Sequence, residues 1–330
     1  MDNHISSILK LTTILVITLM TDVFSISAQS DAQYTQYRAV PGYYNPAAIG
    51  SSDFLDIRAA GRLQWVGIDN APQSLTATAD MPFKFLEKRF ATGLALHQES
   101  AGLFSTLNLG VQLAFMKKKL FKGDLSIGVQ VGIFNETFKG SDVILPGDDD
   151  FHEGTDDAIP TTDITGTALD LNIGAFYTHK WFWAGISVTH LTSPKIALSE
   201  KSATEQRYEF QAYRTYYLMG GSNIPIKNTL LELQPSFLVK TDTKFFTGEI
   251  TACVRYRKFI TAGLAYRWKD AISIIAGAEY KNFTFGYSYD YSVSNIAKAS
   301  NGSHEFSVGY KIKLDLREKN KNKHKSIRIM

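Results

Sequence analysis

Apolar and polar side chains alternate along most of this chain, from about residue 54 to residue 314. In the clearest stretch, the apolar positions are Leu107, Leu109, Val111, Leu113 and Phe115, and between them stand Asn108, Gly110, Gln112 and Ala114. Successive side chains of a strand point to opposite faces, so this stretch has one apolar face. A bilayer offers no water to unpaired backbone groups, so strands that cross it must close into a barrel. The pattern therefore predicts an all-β fold, a transmembrane antiparallel β-barrel.

We predict about fourteen strands, and an even number is usual for bacterial single-chain barrels. Their approximate bounds are 54–65, 73–81, 90–99, 103–116, 124–134, 167–178, 181–190, 207–220, 228–240, 244–256, 259–268, 271–280, 283–292 and 303–314. The longest connections, 135–166, 191–206 and 293–302, all follow odd-numbered strands, and the even connections are short and often basic. External loops are long and periplasmic turns are short in such barrels. We therefore expect a barrel over 54–314 in the bacterial outer membrane, with its N- and C-termini in the periplasm.

The start of the chain differs from the barrel in composition. Lys10 precedes a short apolar run, and small residues follow up to Ala28, which predicts a secretory signal peptide over residues 1–28. A membrane anchor is the alternative, but the run is shorter than the ~20 residues that cross a bilayer. Residues 29–53 are irregular and rich in aromatic and turn residues. We expect this N-terminal segment to lie in the barrel lumen or on its periplasmic side.

The end of the chain is basic. Residues 315–330 hold six Lys or Arg against Asp315 and Glu318, which predicts a solvated periplasmic tail. The net charge of +3 is too small to indicate nucleic acid as a partner. The single cysteine, Cys253, forms no internal disulfide, and the alternation predicts that its side chain faces the lumen.

Strand length and aromatic content separate a barrel from a soluble exported β-sandwich. Strands of soluble proteins are typically ~5–6 residues long, and many of those predicted here are twice that length. The chain contains 16 Tyr and 21 Phe, which fits the aromatic girdles that membrane barrels carry at both interfaces. Both observations favour the barrel.

Chemistry-bearing motifs are scarce. The chain has no nucleophile elbow, zinc-binding HExxH pair, phosphate loop or dinucleotide fingerprint, so we expect no enzyme activity and no cofactor. The acidic stretch around Asp148, Asp149 and Asp150 offers the oxygen ligands that Ca²⁺ prefers. Its spacing is not that of an EF-hand, so a solvated acidic loop and a weak calcium site stay open.

The strongest local motifs lie between residues 33 and 82. They are Tyr34–Thr35–Gln36–Tyr37, then Asn45–Pro46–Ala47–Ala48–Ile49–Gly50–Ser51, then Arg62–Leu63–Gln64–Trp65, then Ala71–Pro72–Gln73–Ser74. In this order they resemble the PorP/SprF family of outer-membrane proteins of the type IX secretion system. The chain has Ala48–Ile49 where that family often has Tyr–Ala, which is a mild departure. The resemblance in length and strand order covers the whole predicted mature chain.

The resemblance implies a non-enzymatic accessory component of type IX secretion, supporting export or surface attachment of large cargo such as gliding adhesins. It implies periplasmic and outer-membrane subunits of that machinery, a secreted adhesin and the lipid bilayer as partners. The alternative is a fatty-acid-transporter-like barrel that passes small hydrophobic or polar solutes. The candidate binding residues are Asn45, Pro46, Arg62, Gln64 and Trp65. We expect Arg62 and Gln64 to line the lumen and Trp65 to face lipid near the outer rim, and these residues either brace the barrel or contact cargo.

Overall fold

The structure, a computed structural model, describes residues 31–143, 159–199 and 208–314. Its strands, in chain order within these ranges, are β1 (Phe54–Leu63), β2 (Gln73–Phe85), β3 (Lys88–Ala101), β4 (Phe104–Leu120), β5 (Gly123–Phe138), β6 (Ile164–Thr178), β7 (Phe182–Thr189), β8 (Lys195–Leu198), β9 (Tyr208–Gln211), β10 (Thr215–Ser222), β11 (Ile224–Pro225), β12 (Leu231–Thr241), β13 (Phe246–Tyr256), β14 (Ile260–Arg267), β15 (Ala271–Tyr280), β16 (Phe283–Ser292) and β17 (Ser303–Lys313). One α-helical turn, α1 (Pro41–Tyr44), stands between 3-10 turns at Tyr37–Ala39 and Pro46–Ala48. Further 3-10 turns lie at Gly140–Asp142 and Asn295–Lys298.

Fourteen of these strands close into an antiparallel barrel, as the alternation predicted. Each barrel strand pairs with its neighbour in the chain, and β1 pairs with β17 to close the sheet. The remaining three are β8 and β9, which form a separate hairpin, and β11, which pairs with β12 beside the wall. Closure removes every free edge of the wall, which is what a lipid environment demands.

The alternation assigns the two faces of the wall correctly. On β4, Val111 is 57% exposed on the outside, whereas its neighbour Gln112 is fully buried on the inside. The polar residues Gln130, Asp170, Asn172 and Glu249 face inward, and so does Cys253, as the pattern predicts. Large apolar side chains cover the outside instead, since only lipid contacts it.

The predicted eighth strand, 207–220, was wrong as a single element. Residues 208–211 pair with 195–198 in the β8–β9 hairpin, and the barrel strand β10 begins only at Thr215. Phe210 of the hairpin stacks on Phe134, an inward-facing residue near the end of β5. Residues 208–211 alternate apolar and polar side chains as a wall strand does, so periodicity gave no sign that this part of the chain lies outside the wall.

The connections separate into two groups that define the two rims of the barrel. The long-connection rim carries 64–72, 139–163, 190–214 and 293–302 and also the short turn 102–103. The short-turn rim carries 86–87, 121–122, 179–181 and 281–282 and also the longer connection 223–230. β1 begins and β17 ends at the short-turn rim. Exposed aromatic side chains lie near both rims, among them Phe121, Trp181 and Tyr280 at one and Phe246, Trp268 and Tyr291 at the other. Among the described residues, no helix is long and apolar enough to cross a membrane.

Candidate functional site

The segment before β1 lies inside the barrel. Residues 31–50, here called the plug segment, bury Tyr34, Tyr37, Val40 and Tyr44 almost completely. Their aromatic rings pack edge to face on one another and on the wall, with Tyr44 5.4 Å from the ring of Tyr217. Such contacts add to the area that the rings remove from water. The plug segment therefore supplies most of the buried apolar core of this barrel. The wall strands by themselves enclose no such core, because most of their apolar side chains point outward.

The plug segment runs from one rim to the other. Its first described residue, Asp31, contacts Thr189, His190 and Tyr217, which stand at the strand ends of the long-connection rim. At the other end, the Gly50 N–H donates to Asp80 at 2.7 Å, close to the short-turn rim. Gly50 is required there, because its φ is +63° and a Cβ would lie 2.2 Å from the Cβ of Ala91. The segment thus spans the lumen before the chain enters β1.

Five charged side chains from the wall meet beside the plug segment and form what we call the luminal ion cluster. Arg62 lies 2.7 Å from Asp290 and 3.3 Å from Glu305, while Arg267 lies 2.8 Å from Glu249 and 3.5 Å from Asp290. Each side chain is less than 5% exposed. Buried charges are costly unless they are paired and hydrogen-bonded, so the five residues form one unit.

The plug segment completes the luminal ion cluster. Three carboxylates face two guanidinium groups, and Glu305 accepts two backbone N–H bonds of 2.8 Å, from Thr35 and Gln36. The Thr35 hydroxyl contacts Asp290 at 2.9 Å and accepts from Arg267 at 2.8 Å. The motif that begins at Tyr34 is therefore the part of the plug segment that the buried charges hold, which explains its residue types.

Asn45 and Pro46 anchor the other end of the plug segment. The Asn45 side chain accepts from the Ala47 N–H at 2.8 Å and donates to the carbonyls of Ala175 and Ile186. Asn45 is fully buried and caps the 3-10 turn at Pro46–Ala48. The Pro46 backbone lies so close to β5 that a Cβ on Gly128 would be 2.4 Å from its oxygen. These two residues fix how the segment sits against the wall.

The structure places Arg62 in the lumen and Gln64 and Trp65 outside the wall strand. β1 ends at Leu63, and Trp65 has φ +51°, so the alternation breaks before it. The Trp65 N–H donates to the Ser303 hydroxyl at 3.1 Å, and the side chain is half-buried in the connection at the long-connection rim. Gln64, also half-buried, donates its backbone N–H to Pro72 at 2.9 Å. Of the five candidate residues, only Asn45, Pro46 and Arg62 belong to the plugged lumen.

A second polar group surrounds Asp31. Its carboxylate accepts from Tyr217 at 2.6 Å and lies 3.2 Å from His190, and its carbonyl accepts from Lys240 at 2.6 Å. His190 also lies 3.1 Å from Asp170. Burial alone would lower the pKa of His190, but the neighbouring carboxylates raise it to about 10. The Asp31 carboxylate is thus held by the His190 ring and the Tyr217 hydroxyl at the long-connection rim.

Sequence reasoning missed most residues that hold the plug segment, among them Glu249, Arg267, Asp290 and Glu305 of the luminal ion cluster.

Among the described residues, no group of three or more His, Cys, Asp or Glu side chains is arranged to hold a metal ion. The calcium candidates Asp148, Asp149 and Asp150 lie outside the described residues. What the luminal groups do chemically is to bind a polypeptide segment by hydrogen bonds and ion pairs.

The fold and its lumen define an outer-membrane-type β-barrel whose lumen holds its own N-terminal segment. The family model described as type IX secretion system membrane protein PorP/SprF matches residues 26–310. The chain therefore belongs to the PorP/SprF family, as its motifs predicted. A membrane component of this kind works together with other subunits of the secretion system.

Solved barrels resemble the chain in fold alone. The toluene transporter TodX of Pseudomonas putida has 10% identity and a TM-score of 0.49, over 89% of this chain and 100% of that one. A FadL homologue of Pseudomonas aeruginosa has 13% identity and a TM-score of 0.46, over 83% of this chain and 94% of that one. No curated protein matches the chain in sequence.

Proposed function

We propose that this protein is a non-enzymatic accessory component of the type IX secretion system. It supports export or surface attachment of large cargo such as gliding adhesins, and it contacts periplasmic and outer-membrane subunits of the machinery. Membership of the PorP/SprF family gives the system, and the plugged lumen supports an accessory role.

The observation that carries the proposal is the way the plug segment is held. Its two ends are fixed at opposite rims, and Thr35 and Gln36 take part in the luminal ion cluster between them. A solute channel needs a continuous path or a segment that moves aside at low cost. Withdrawing this plug segment would remove the two N–H bonds that Glu305 accepts and the contact of the Thr35 hydroxyl with Asp290. Hydrogen bonds to buried charged groups are strong, so their loss is unfavourable even though the two carboxylates keep their arginine partners. The arrangement therefore favours a permanently closed scaffold over the alternative, a transport barrel for small solutes.

The rims suggest an orientation. Connections at the long-connection rim, such as 139–163 and 190–214, have the length of external loops, and the tight turns at the other rim have the length of periplasmic turns. We infer that β17 ends on the periplasmic side, so the basic tail 315–330 would begin there. Asp31 would then stand at the outer end of the lumen, opposite the end of β17, which departs from our expectation that both termini are periplasmic.

Affinity purification from the native outer membrane tests the proposed function. The full chain carries a tag inserted in an exposed connection, and a matched preparation carries the same tag on an unrelated barrel of the same membrane. Enrichment of type IX subunits or of a large surface protein with this chain alone supports the proposal. A second strain, from which the chain is deleted, shows whether cargo export depends on it. The proposal is contradicted if neither type IX subunits nor a large surface protein co-purify and the deletion strain exports its cargo normally.

A further inference from the structure

The short-turn rim is strongly basic. Exposed lysine and arginine side chains encircle it, and we call this set the basic collar: Lys84, Lys88, Lys117, Lys118, Lys119, Lys122, Lys180, Lys227, Arg257, Lys258, Lys281 and Lys313. They come from the ends of strands and from turns on all sides of the barrel. The charge therefore forms a ring rather than one patch.

Carboxylates at this rim are far fewer than the cations of the basic collar. Asp53 pairs with Arg89, and Glu232 and Glu279 both pair with Arg255. Glu87 and Asp124 are also exposed here, and Asp124 accepts the backbone N–H of Lys119 at 3.0 Å. The long-connection rim is mixed instead, with carboxylates such as Asp69, Asp142, Asp163, Glu209 and Asp270 among its lysines. The two ends of the described barrel thus differ in charge.

Three collar cations lie over aromatic rings on the outside of the wall. Lys180 lies 5.0 Å from the ring centre of Trp181, and Lys281 lies 5.3 Å from that of Tyr280. Arg257 lies 5.4 Å from the ring of Tyr256. The three rings are between 43% and 57% exposed, so they face the bilayer. Tryptophan and tyrosine rings in this position mark the depth of the lipid headgroups, and long basic side chains reach that depth too.

The turns keep these cations at a conformational cost. Lys119, Lys122, Arg257, Lys258 and Lys281 all have φ between +51° and +69°. Glycine or asparagine adopts this left-handed conformation more readily than lysine or arginine. Leu86, Glu87 and Phe121 adopt the same conformation in turns of this rim, so turn geometry does not account for lysine or arginine at the other positions.

We propose that the basic collar binds the phosphate groups of anionic phospholipids in the leaflet that meets the short-turn rim. The outward-facing rings and the circumferential spread of charge favour lipid, which surrounds the barrel, over an acidic protein, which would contact one side. Bound headgroups would fix the depth of the barrel in the membrane. The proposal stands independently of the role in secretion, because it rests on this rim alone.

Lipid retention by the purified full-length barrel tests the proposal. The barrel is reconstituted in nanodiscs of phosphatidylcholine with a minor fraction of phosphatidylglycerol, extracted in mild detergent and examined by native mass spectrometry. The collar variant carries Lys180→Gln, Arg257→Gln and Lys281→Gln together. The matched control carries Lys195→Gln, Lys244→Gln and Lys298→Gln, which removes the same charge from the opposite rim. Heat-modifiable migration on gels verifies that each variant is folded.

We expect the parent chain to retain phosphatidylglycerol in preference to phosphatidylcholine, and this preference to fall in 1 M salt, which screens exposed charges to about 3 Å. In the collar variant, the preference for phosphatidylglycerol over phosphatidylcholine should fall about tenfold or more. Each lysine or arginine near an anionic membrane surface adds to the binding free energy, and three of them are removed. The control variant should keep the preference for phosphatidylglycerol.

Equal loss of this preference in both variants overturns the proposal, and so does a parent chain with no preference. If the collar variant fails to fold, the salt and lipid dependence of the parent chain decides the question alone. A collar variant that retains its lipid but loses a protein partner in the native envelope also overturns it.

Discussion

Arg62 of β1 and Asp290 of β16 meet inside the barrel, with Nη2 of the arginine 2.7 Å from Oδ2 of the aspartate. β17 separates their strands in the wall, so the pair bridges across it from the lumen side. Asp290 also contacts the Thr35 hydroxyl at 2.9 Å, which ties the pair to the plug segment. Closure of the barrel and closure of its lumen therefore share the same buried atoms.

Removing Arg62 should destabilise the barrel strongly. In Arg62→Gln, Asp290 and Glu305 lose a buried cationic partner, and breaking such a pair costs about 3–5 kcal/mol. Urea unfolding of the refolded barrel in detergent measures the loss. The control Lys195→Gln breaks the exposed Lys195–Glu209 pair and should change stability by less than about 1 kcal/mol. Similar losses of unfolding free energy in both variants would mean that the luminal ion cluster contributes little to the stability of the barrel.

Gly174→Ala should displace the plug segment. A Cβ at Gly174 would lie 2.1 Å from Oδ1 of Asn45, whose position is fixed by the Ala47 N–H. We expect faster proteolysis within residues 31–50 and a loss of about 1–3 kcal/mol in stability, as for other overpacked sites. At Gly309 a Cβ would meet its nearest neighbour at 3.6 Å, so Gly309→Ala should behave like the parent chain. Unchanged protease resistance in Gly174→Ala would contradict the docking of Asn45.

Val111→Arg should impair assembly. Val111 is 57% exposed to lipid in the middle of β4, where an arginine costs roughly 2–4 kcal/mol. Phe121 is 85% exposed in a turn at the short-turn rim, so Phe121→Arg should cost only about 0–1 kcal/mol. The yield of heat-modifiable barrel in the outer membrane compares the two. Equal yields would refute the assignment of the lipid face.

Docking of the plug segment should depend on pH through His190. The raised pKa of about 10 means that its stabilisation is complete below the ordinary value of about 6.5 and is lost as pH rises toward 10. Asp31 has the opposite sign. Burial would raise its pKa, but His190 and Tyr217 hold that pKa well below its usual range, so its contribution is present above about 4 and is lost at lower pH.

Thermal unfolding followed by circular dichroism between pH 5 and pH 10 measures this dependence. The Tm of the parent chain should fall between pH 7 and pH 10, and His190→Gln should start with a lower Tm at pH 6 and show a smaller fall. A fall of the same size in His190→Gln would contradict the role given to the His190–Asp31 pair.

The wall of the barrel followed from the sequence because the lipid face enforces a strict alternation. Val111 and Gln112 differ in polarity for that reason, and every barrel strand except the eighth was located near its observed position. The exception arose at residues 208–211, where an equally regular alternation belongs to a hairpin packed on Phe134. An alternating pattern indicates that a strand has one apolar and one polar face. It does not indicate whether that strand pairs within the barrel wall or within a separate hairpin.

The lumen followed from the sequence only in outline. Asn45, Pro46 and Arg62 were recognisable from a motif, whereas Asp290, Glu305 and Arg267 each looked like one more polar position on an inward face. Their roles depend on contacts between distant parts of the chain, such as Glu305 with the Thr35 and Gln36 N–H groups. The pattern of neighbouring residues in the sequence does not predict contacts between positions so far apart in the chain. The aromatic richness of 29–53 was the one signal that the segment is packed.

Ion conductance of the intact protein tests the central claim, a lumen closed by the plug segment, most directly. The refolded full-length barrel is inserted into a planar bilayer, and an open porin inserted under the same conditions serves as the positive control. The account predicts that this protein inserts without a steady conductance at neutral pH. A stable, ohmic conductance comparable to that of the porin would show that the lumen is open and would contradict it.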